Sequence, residues 1–164
     1  MYEQLDPETG RMGLSFVLGN QGMIYARLGS HEKAEENLTQ AIKLLEEDEN
    51  YDPIAEYQIT LAEVYWDQEA FDKAHDLASK GLGHSRRLRK KELVSRASFV
   101  LAQLDYQSEN YKEAFEHQAM YVQYKDSMDV ETVSMNRLER AQAELDALQA
   151  NIQKKRQETA LWAT

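Results

Sequence analysis

The sequence predicts an all-α protein built from stacked helical hairpins. Apolar residues recur at helical spacing along the chain, and the alternation of apolar and polar residues that marks β-strands is almost absent. A pattern of small and aromatic residues also returns three times at an interval of 40 residues. In each copy two small residues lie 12 positions apart: Gly22 and Ala34, Ala62 and Ala74, Ala102 and Ala114. Repeats of this length indicate units that stack because none buries its apolar face alone.

The first two hairpins are bounded by clear start and stop signals. In the first, predicted over residues 13–50, a helix runs from about Arg11 to Leu28 and stops at Gly29, a C-terminal cap; its partner begins near Ser30, a good N-cap. The second, over residues 51–88, begins at Asp52-Pro53, an N-cap aspartate before a proline in the first turn. Its partner helix is predicted from Phe71 to about Ser85.

The third hairpin and a long helix complete the predicted architecture. The hairpin covers residues 89–126, with helices over 90–107 and 111–125, and closes a repeat domain of residues 1–126. In residues 127–164 we expect a separate long helix from Asp129 to about Gln157. Its apolar residues follow the three–four spacing of a heptad seam. The seam residues are Leu138, Ala141, Leu145, Leu148 and Ile152. Two interpretations stand: a seam that pairs two copies into a homodimer, or a helix that caps the last hairpin.

Charge and composition narrow the partners. The formal net charge is −10, and between residues 30 and 76 there are 14 acidic side chains against three lysines. Such a balance repels nucleic acid and anionic lipid. We interpret the basic run over residues 86–91 as a solvated turn that neutralises nearby acids rather than as a nucleic-acid site. No stretch reaches the ~18 apolar residues of a membrane span, so we expect no membrane contact by this segment. A complete chain would be cytoplasmic, whereas a fragment of a membrane-bound sensor would leave the location unknown.

The sequence contains no arrangement typical of an enzyme. The four histidines show no metal-ligand spacing and are expected at the surface or between hairpins, and the chain has no cysteine. Gly81-Leu-Gly83 lacks the lysine and helix of a phosphate loop, and acidic pairs fall on solvated helix faces. We therefore predict no catalytic residues, no metal and no cofactor.

The repeated pattern resembles the tetratricopeptide repeat. In register, the matching positions are Gly22, Tyr25, Gly29, Ala34, Leu38 and Ala41; Leu61, Ala62, Tyr65, Phe71, Ala74 and Ala78; and Leu101, Ala102, Tyr111 and Ala114. Two positions depart from the family: His31 replaces an aromatic residue, and Asp105 stands where the third repeat would carry tyrosine. The period of 40 exceeds the usual ~34, which implies longer helices or connections.

The third repeat has a further likeness. The run Tyr121-Val-Gln-Tyr-Lys-Asp-Ser127 before a heptad helix is similar to repeat segments of bacterial histidine kinases, nucleotide and diguanylate cyclases and helix-turn-helix regulators. That resemblance implies a sensory or scaffold module of a bacterial signalling protein, which binds a protein or peptide and transmits through its last helix. The alternative is a complete stand-alone adaptor.

The resemblance also implies a concave groove lined by the first helix of each hairpin. Its positions are Phe16, Gly19, Asn20, Met23 and Arg27; Glu56, Ile59, Glu63, Trp66 and Asp67; and Arg96, Phe99, Gln103, Tyr106 and Gln107. The family's lysine and asparagine clamp on a peptide carboxylate is not reproduced, since Glu63 stands where a second asparagine belongs. Aromatic side chains among acids predict an apolar, partly basic segment as partner. Trp66 and Phe99 have a second interpretation, packing between hairpins.

Overall fold

Six helices make up the part of the chain that the structure describes. The structure is a computed structural model, which describes residues 7–47 and 51–162. The helices are α1 (Pro7–Arg27), α2 (His31–Glu47), α3 (Tyr51–Asp67), α4 (Phe71–Arg87), α5 (Lys91–Gln107) and α6 (Tyr111–Trp162). These ranges contain no strand, and none of their helices is long and apolar enough to cross a membrane. The all-α fold is confirmed.

Helix length explains the period of 40 residues. Each of α2, α3, α4 and α5 is 17 residues long. The described turns between helices are three residues each, so two helices and two turns make one period. The excess over the usual repeat therefore lies in the helices. Asp48 to Asn50, where the first hairpin was predicted to end, lie outside the described residues.

The four described turns share one backbone geometry. Their central residues, Gly29, Glu69, Arg89 and Glu109, all have left-handed backbones, with φ between +54° and +70°. In the first turn the amide of Gly29 donates to the carbonyl of Ala26, and that of Ser30 donates to the carbonyl of Tyr25. The other three turns repeat both hydrogen bonds at equivalent positions. This arrangement satisfies the last carbonyls of each helix and reverses the chain in three residues.

Small residues set the contact between the helices of a hairpin. A Cβ built on Gly22 would lie 2.6 Å from Leu38 Cγ, and one built on Gly81 would lie 2.6 Å from Ile59 Cγ1. Ala34, Ala74 and the other small residues of the repeat are buried in the same core. The core therefore consists of aliphatic side chains packed against positions where a larger residue does not fit.

Two details differ from the prediction. α3 begins at Tyr51, so Asp52 lies inside the first turn and not at the cap, and its Oδ1 pairs with Lys90 Nζ at 3.3 Å. Proline is tolerated there because the first amides of a helix have no partner within it. Similarly, α1 begins at Pro7 instead of Arg11.

The prediction that a separate helix starts at Asp129 was wrong. α6 is continuous from Tyr111 to Trp162, because no glycine or proline interrupts that stretch. Its contacts nevertheless divide the chain into two compact units, one ending at Lys125 and one beginning at Asp126. In the second unit, every described side chain from Asp129 to Ala147 is exposed.

Candidate partner-binding groove

The helices α1, α3 and α5 present equivalent positions to one surface. Each predicted groove residue on α1 has a counterpart 40 and 80 positions later, as in the series Met23, Glu63 and Gln103. Met23, Arg27, Glu63, Asp67 and Arg96 line a single cavity of about 420 Å³. The structure thus brings together predicted residues from all three helices.

An ion-pair network occupies the centre of this groove. Arg96 Nη2 donates to Glu63 Oε2 at 2.7 Å and to Thr60 Oγ1 at 3.3 Å, and Arg96 Nε donates to Glu63 Oε1 at 3.3 Å. Glu56 Oε1 lies 3.9 Å from Arg96 Nη1. Two groove acids are therefore already neutralised by one guanidinium, whereas the exposed Asp67 has no such bond to Arg96. A two-bond contact of this kind fixes the planar guanidinium and orients the groove wall.

A row of aromatic rings borders the network. The rings of Trp66 and Phe99 are stacked with centroids 6.4 Å apart, and the rings of Phe99 and Tyr121 are tilted at 5.2 Å. Phe99 is 42% exposed, and Trp66 and Tyr121 are half-buried. Both interpretations of Trp66 and Phe99 therefore hold in part: the rings pack on each other and still present apolar surface to solvent.

Besides the buried Gly19, Ile59 is a groove assignment that the structure corrects. It is fully buried, and its side chain packs against Gly81 of α4. Phe99 is its counterpart one repeat later, and Tyr121 is the counterpart of Gly81. Position 59 therefore points toward the partner helix of its own hairpin. Phe99 and Tyr121 occupy the same two positions in the third hairpin, where two aromatic rings meet and Phe99 stays partly exposed.

Sequence reasoning missed Tyr121 as part of this surface. Tyr121 lies on the second helix of its hairpin, whereas the family pattern assigns the groove to first helices. The signal that would have identified it is the 40-residue register, because Tyr121 follows Phe99 at the interval at which Gly81 follows Ile59.

The other predicted groove residues lie outside the main cavity. Asn20, Phe16 and Glu56 line a second cavity of about 560 Å³ together with Arg89 and Lys90. Gln103 is half-buried and Gln107 is exposed. Gly19 is buried; a Cβ built on it would clash with the ring of Tyr57. Tyr106 is 67% exposed, and its ring meets that of Tyr111 edge-on at 5.6 Å.

A polar cluster lies between the second and third hairpins. The buried carboxylate of Asp105 accepts hydrogen bonds from His75 Nε2 at 3.0 Å and from His117 Nδ1 at 2.7 Å. The histidines predicted to lie at the surface or between hairpins therefore include two that share one acid. Among the described residues, no group of three or more histidine, cysteine, aspartate or glutamate side chains has an arrangement that would hold a metal ion.

The same two positions form a different bond one repeat earlier. Tyr65 Oη donates to Glu35 Oε1 at 2.8 Å, at the positions equivalent to Asp105 and His75. Burial, followed by the hydrogen bond to Glu35 and its negative charge, raises the pKa of Tyr65 to about 12. Tyr65 therefore stays protonated and keeps its role as donor at any physiological pH.

The repeats can now be compared with known families. The tetratricopeptide repeat family model matches residues 14–87. The match covers the first two hairpins, and the third hairpin repeats the 17-residue length of its first helix, α5, and the geometry of the turn that follows. Together these findings show an α-solenoid of the tetratricopeptide type. No curated protein matches the chain. Repeats of this family are generally scaffolds for protein–protein interaction, typically without catalysis.

Proposed function

We propose that this chain is a sensory or scaffold module of a bacterial signal-transduction protein, which binds a peptide or protein segment in its groove. The observation that carries the proposal is the row of Trp66, Phe99 and Tyr121 beside the network of Arg96 and Glu63. Partly exposed aromatic rings next to ordered polar groups are typical of surfaces that bind a partner through a few anchor residues. In this proposal an apolar anchor residue of the partner packs on these rings.

The charge of the groove favours a partner segment that is also partly basic. Asp67 is exposed at the rim of the main cavity, and the chain carries a net charge of −10. Arg27 lies in the same cavity, so the basic group of the partner is expected to approach from the side of Asp67. Electrostatic attraction of this kind chiefly raises the rate of association and fixes orientation.

The last helix supplies the proposed route of transmission. Leu138 is 73% exposed and Leu145 is 47% exposed, and Ala141 between them is also exposed. The side chains of Leu148 and Ile152, which continue the predicted seam, lie outside the described residues. Uncovered apolar residues at heptad spacing support the pairing of two copies, and through it the passing of a signal, more than the role of a cap. A stand-alone adaptor stays the alternative.

A library of displayed random peptides tests the groove. Binding of the selected peptides to the purified chain is measured by fluorescence anisotropy, together with the melting temperature of each variant. We expect Trp66→Ala to weaken binding at least tenfold, which is about 1.4 kcal/mol, because the central anchor surface is lost. Trp66→Leu, which keeps apolar volume, serves as a second variant if Trp66→Ala lowers the melting temperature.

Phe115→Ala provides the matched control. Phe115 is 75% exposed and belongs to none of the groove contacts, so its loss is expected to leave peptide affinity unchanged. Equal binding by wild type and both Trp66 variants, or selection of no peptide, would contradict a ligand site on the aromatic row.

A further inference from the structure

The outer face of α1 carries an apolar stripe that nothing in the described structure covers. Leu14 is 50% exposed, Val17 53%, Ile24 55% and Leu28 71%. These four residues follow one another at intervals of three, seven and four. Leu14, Val17 and Ile24 therefore lie on one side of α1, and Leu28, the first residue after the helix, continues that side because its amide donates to the carbonyl of Ile24. That side is opposite to Ser15 and Gly22, which are buried against the rest of the hairpin.

The later repeats show how the equivalent positions pack. The counterparts of Leu14, Val17 and Ile24, 40 and 80 positions later, are Ile54, Tyr57 and Val64 in α3 and Val94, Ala97 and Leu104 in α5. All six are at most 3% exposed. Leu28, which follows the last residue of α1, corresponds to the exposed Gln68 and Ser108. The six are buried because α3 and α5 each pack against the preceding hairpin. The apolar face of α1 is therefore equivalent to the faces through which α3 and α5 pack against other helices, and it is suited to packing against a helix.

The spacing of the stripe allows it to pack against itself. Gly10, Leu14, Val17, Gln21, Ile24 and Leu28 follow intervals of four, three, four, three and four residues, the repeat of a two-helix seam. In an antiparallel pair centred on residue 19, Leu14 faces Ile24 of the second copy. Leu28 then faces Gly10, where an added Cβ would meet no atom within 4 Å. Leu28 thus has open space opposite it at Gly10, and Leu14 and Ile24 form apolar contacts with each other across the seam.

Charge favours a second copy as the occupant. No charged residue lies between Arg11 and Arg27, although 29% of the chain is charged and its net charge is −10. Two highly acidic chains repel each other over most of their surface. The 15 uncharged residues of α1 are a surface on which two copies meet without burying like charges.

We propose that two copies of this chain associate through an antiparallel pairing of their α1 helices. The seam from Gly10 to Leu28 spans roughly 27 Å at a rise of about 1.5 Å per residue. A single helix pair of this length buries less area than the roughly 800 Å² per partner of a stable complex. The dimer is therefore reversible and depends on concentration. This inference is independent of the groove and of the seam in the last helix.

Sedimentation analysis of the full chain over a range of concentrations tests the pairing. All variants carry Leu138→Glu and Leu145→Glu, which remove association through the last helix. We expect this background to shift with concentration from the 19.0 kDa mass of one chain toward twice that mass. Adding Val17→Glu and Ile24→Glu is expected to hold the mass at 19.0 kDa at every concentration, with unchanged helical circular dichroism, since both side chains are more than half exposed.

Phe115→Glu and Val122→Glu in the same background are the matched control. Both residues are exposed apolar side chains on the last hairpin of the repeat unit, so this pair is expected to leave dimerisation intact. A background that stays a monomer, a dimer that survives Val17→Glu with Ile24→Glu, or a dimer lost in the control pair would each overturn the proposal. The last result would indicate head-to-tail stacking.

Cysteine cross-linking tests the register. The chain has no cysteine, so Val17→Cys and Gln21→Cys each introduce one thiol. In the proposed pair these two positions face each other, and a mixture of the two variants is expected to form disulfides faster than either variant alone. Equal rates in all three samples would contradict the antiparallel register.

Discussion

The position of Asp105 carries different residues with different contacts in successive repeats. Tyr25 and Tyr65 precede it at the same place in the repeat, and each carries a lysine near its ring, Lys33 at 5.4 Å and Lys73 at 4.9 Å. In the third repeat the equivalent residues are Asp105 and Glu113, two acids. The cation–π contact is therefore impossible there, and the two imidazoles replace it as partners.

Exchange of the two bonding patterns tests this equivalence. His75→Glu alone places a second carboxylate against the buried Asp105, so we expect the free energy of unfolding to fall by about 1–3 kcal/mol. Asp105→Tyr alone leaves His117 without its carboxylate and is also expected to destabilise. The double variant recreates the pair of Tyr65 and Glu35, and its cost is expected to be smaller than the sum of the single costs by about 1 kcal/mol or more.

Urea unfolding monitored by circular dichroism gives the three free energies. Glu35→His with Tyr65→Asp makes the converse exchange at the first junction, between the first and second hairpins, and serves as its control, because the second imidazole is absent there: Leu77 occupies the position of His117. We expect no comparable compensation in that variant. Strict additivity at the second junction would show that the two positions do not form equivalent contacts.

At the scale of the helices, local signals located most of the fold. The glycine at position 29, the run Asp52-Pro53 and the 40-residue register placed the first five helices within a few residues, because turns and helix starts depend on neighbouring residues. The continuity of α6 was missed because a change in the pattern of side chains was taken for a break in the backbone, although no helix-breaking residue lies there.

The contents of the groove were harder to predict than its helices. The surface around Arg96 and Glu63 joins residues 33 positions apart, and the cluster at Asp105 joins residues from three helices. Such contacts depend on how hairpins stack, which no local pattern encodes. The 40-residue register nevertheless helps to locate the surface. It relates the buried Ile59 to Phe99, which is partly exposed, and so shows that equivalent positions differ in burial.

The turns provide a prediction about element ends. Glu109 holds a φ of +62°, and Gly29 holds +70° at the equivalent position. A left-handed backbone costs a residue with a Cβ roughly 1–2 kcal/mol, and glycine loses part of that advantage because its unfolded state is freer, by about 0.5–1 kcal/mol. We therefore expect Glu109→Gly to raise the free energy of unfolding by about 0.5–1 kcal/mol.

Two further variants control for the lost side chain. Glu109→Ala removes the same carboxylate but keeps the Cβ, and is expected to change stability little, since Glu109 is exposed. Gly29→Ala is expected to destabilise, by about the amount that Glu109→Gly gains. If Glu109→Gly and Glu109→Ala were equal in denaturant unfolding, backbone strain would not be the cause.

At the scale of the whole chain, the two units differ in what stabilises them. The unit that ends at Lys125 contains the buried core, in which the apolar faces of successive helices cover one another. In the unit that begins at Asp126, the described side chains from Asp129 to Ala147 are all exposed, so this stretch of helix buries none of them in a core. A helix without tertiary contacts is only marginally stable in water.

Limited proteolysis therefore distinguishes the units. We expect brief trypsin treatment of the full chain to cut first after Arg137 and Arg140, both exposed, because a protease needs several residues of locally unfolded backbone. The basic run over residues 86–91 offers more cleavage sites, yet it spans the end of one packed helix and the start of the next, so its opening requires loss of core contacts. Mass spectrometry of the fragments identifies the order of cleavage.

The dependence of this cleavage on concentration connects the second unit to its proposed pairing. If Leu138 and Leu145 form a seam between two copies, packing protects Arg137 and Arg140 from trypsin. The rate of the first cut per chain is then expected to fall as the chain concentration rises at a constant trypsin concentration. The effect of substrate saturation on this rate is measured on a control variant and subtracted. Leu138→Glu with Leu145→Glu is that control, and its rate per chain is expected to stay high throughout. Equal protection in both chains would exclude the seam as its cause, and a first cut within residues 86–91 would show that the hairpins open more readily than the lone helix.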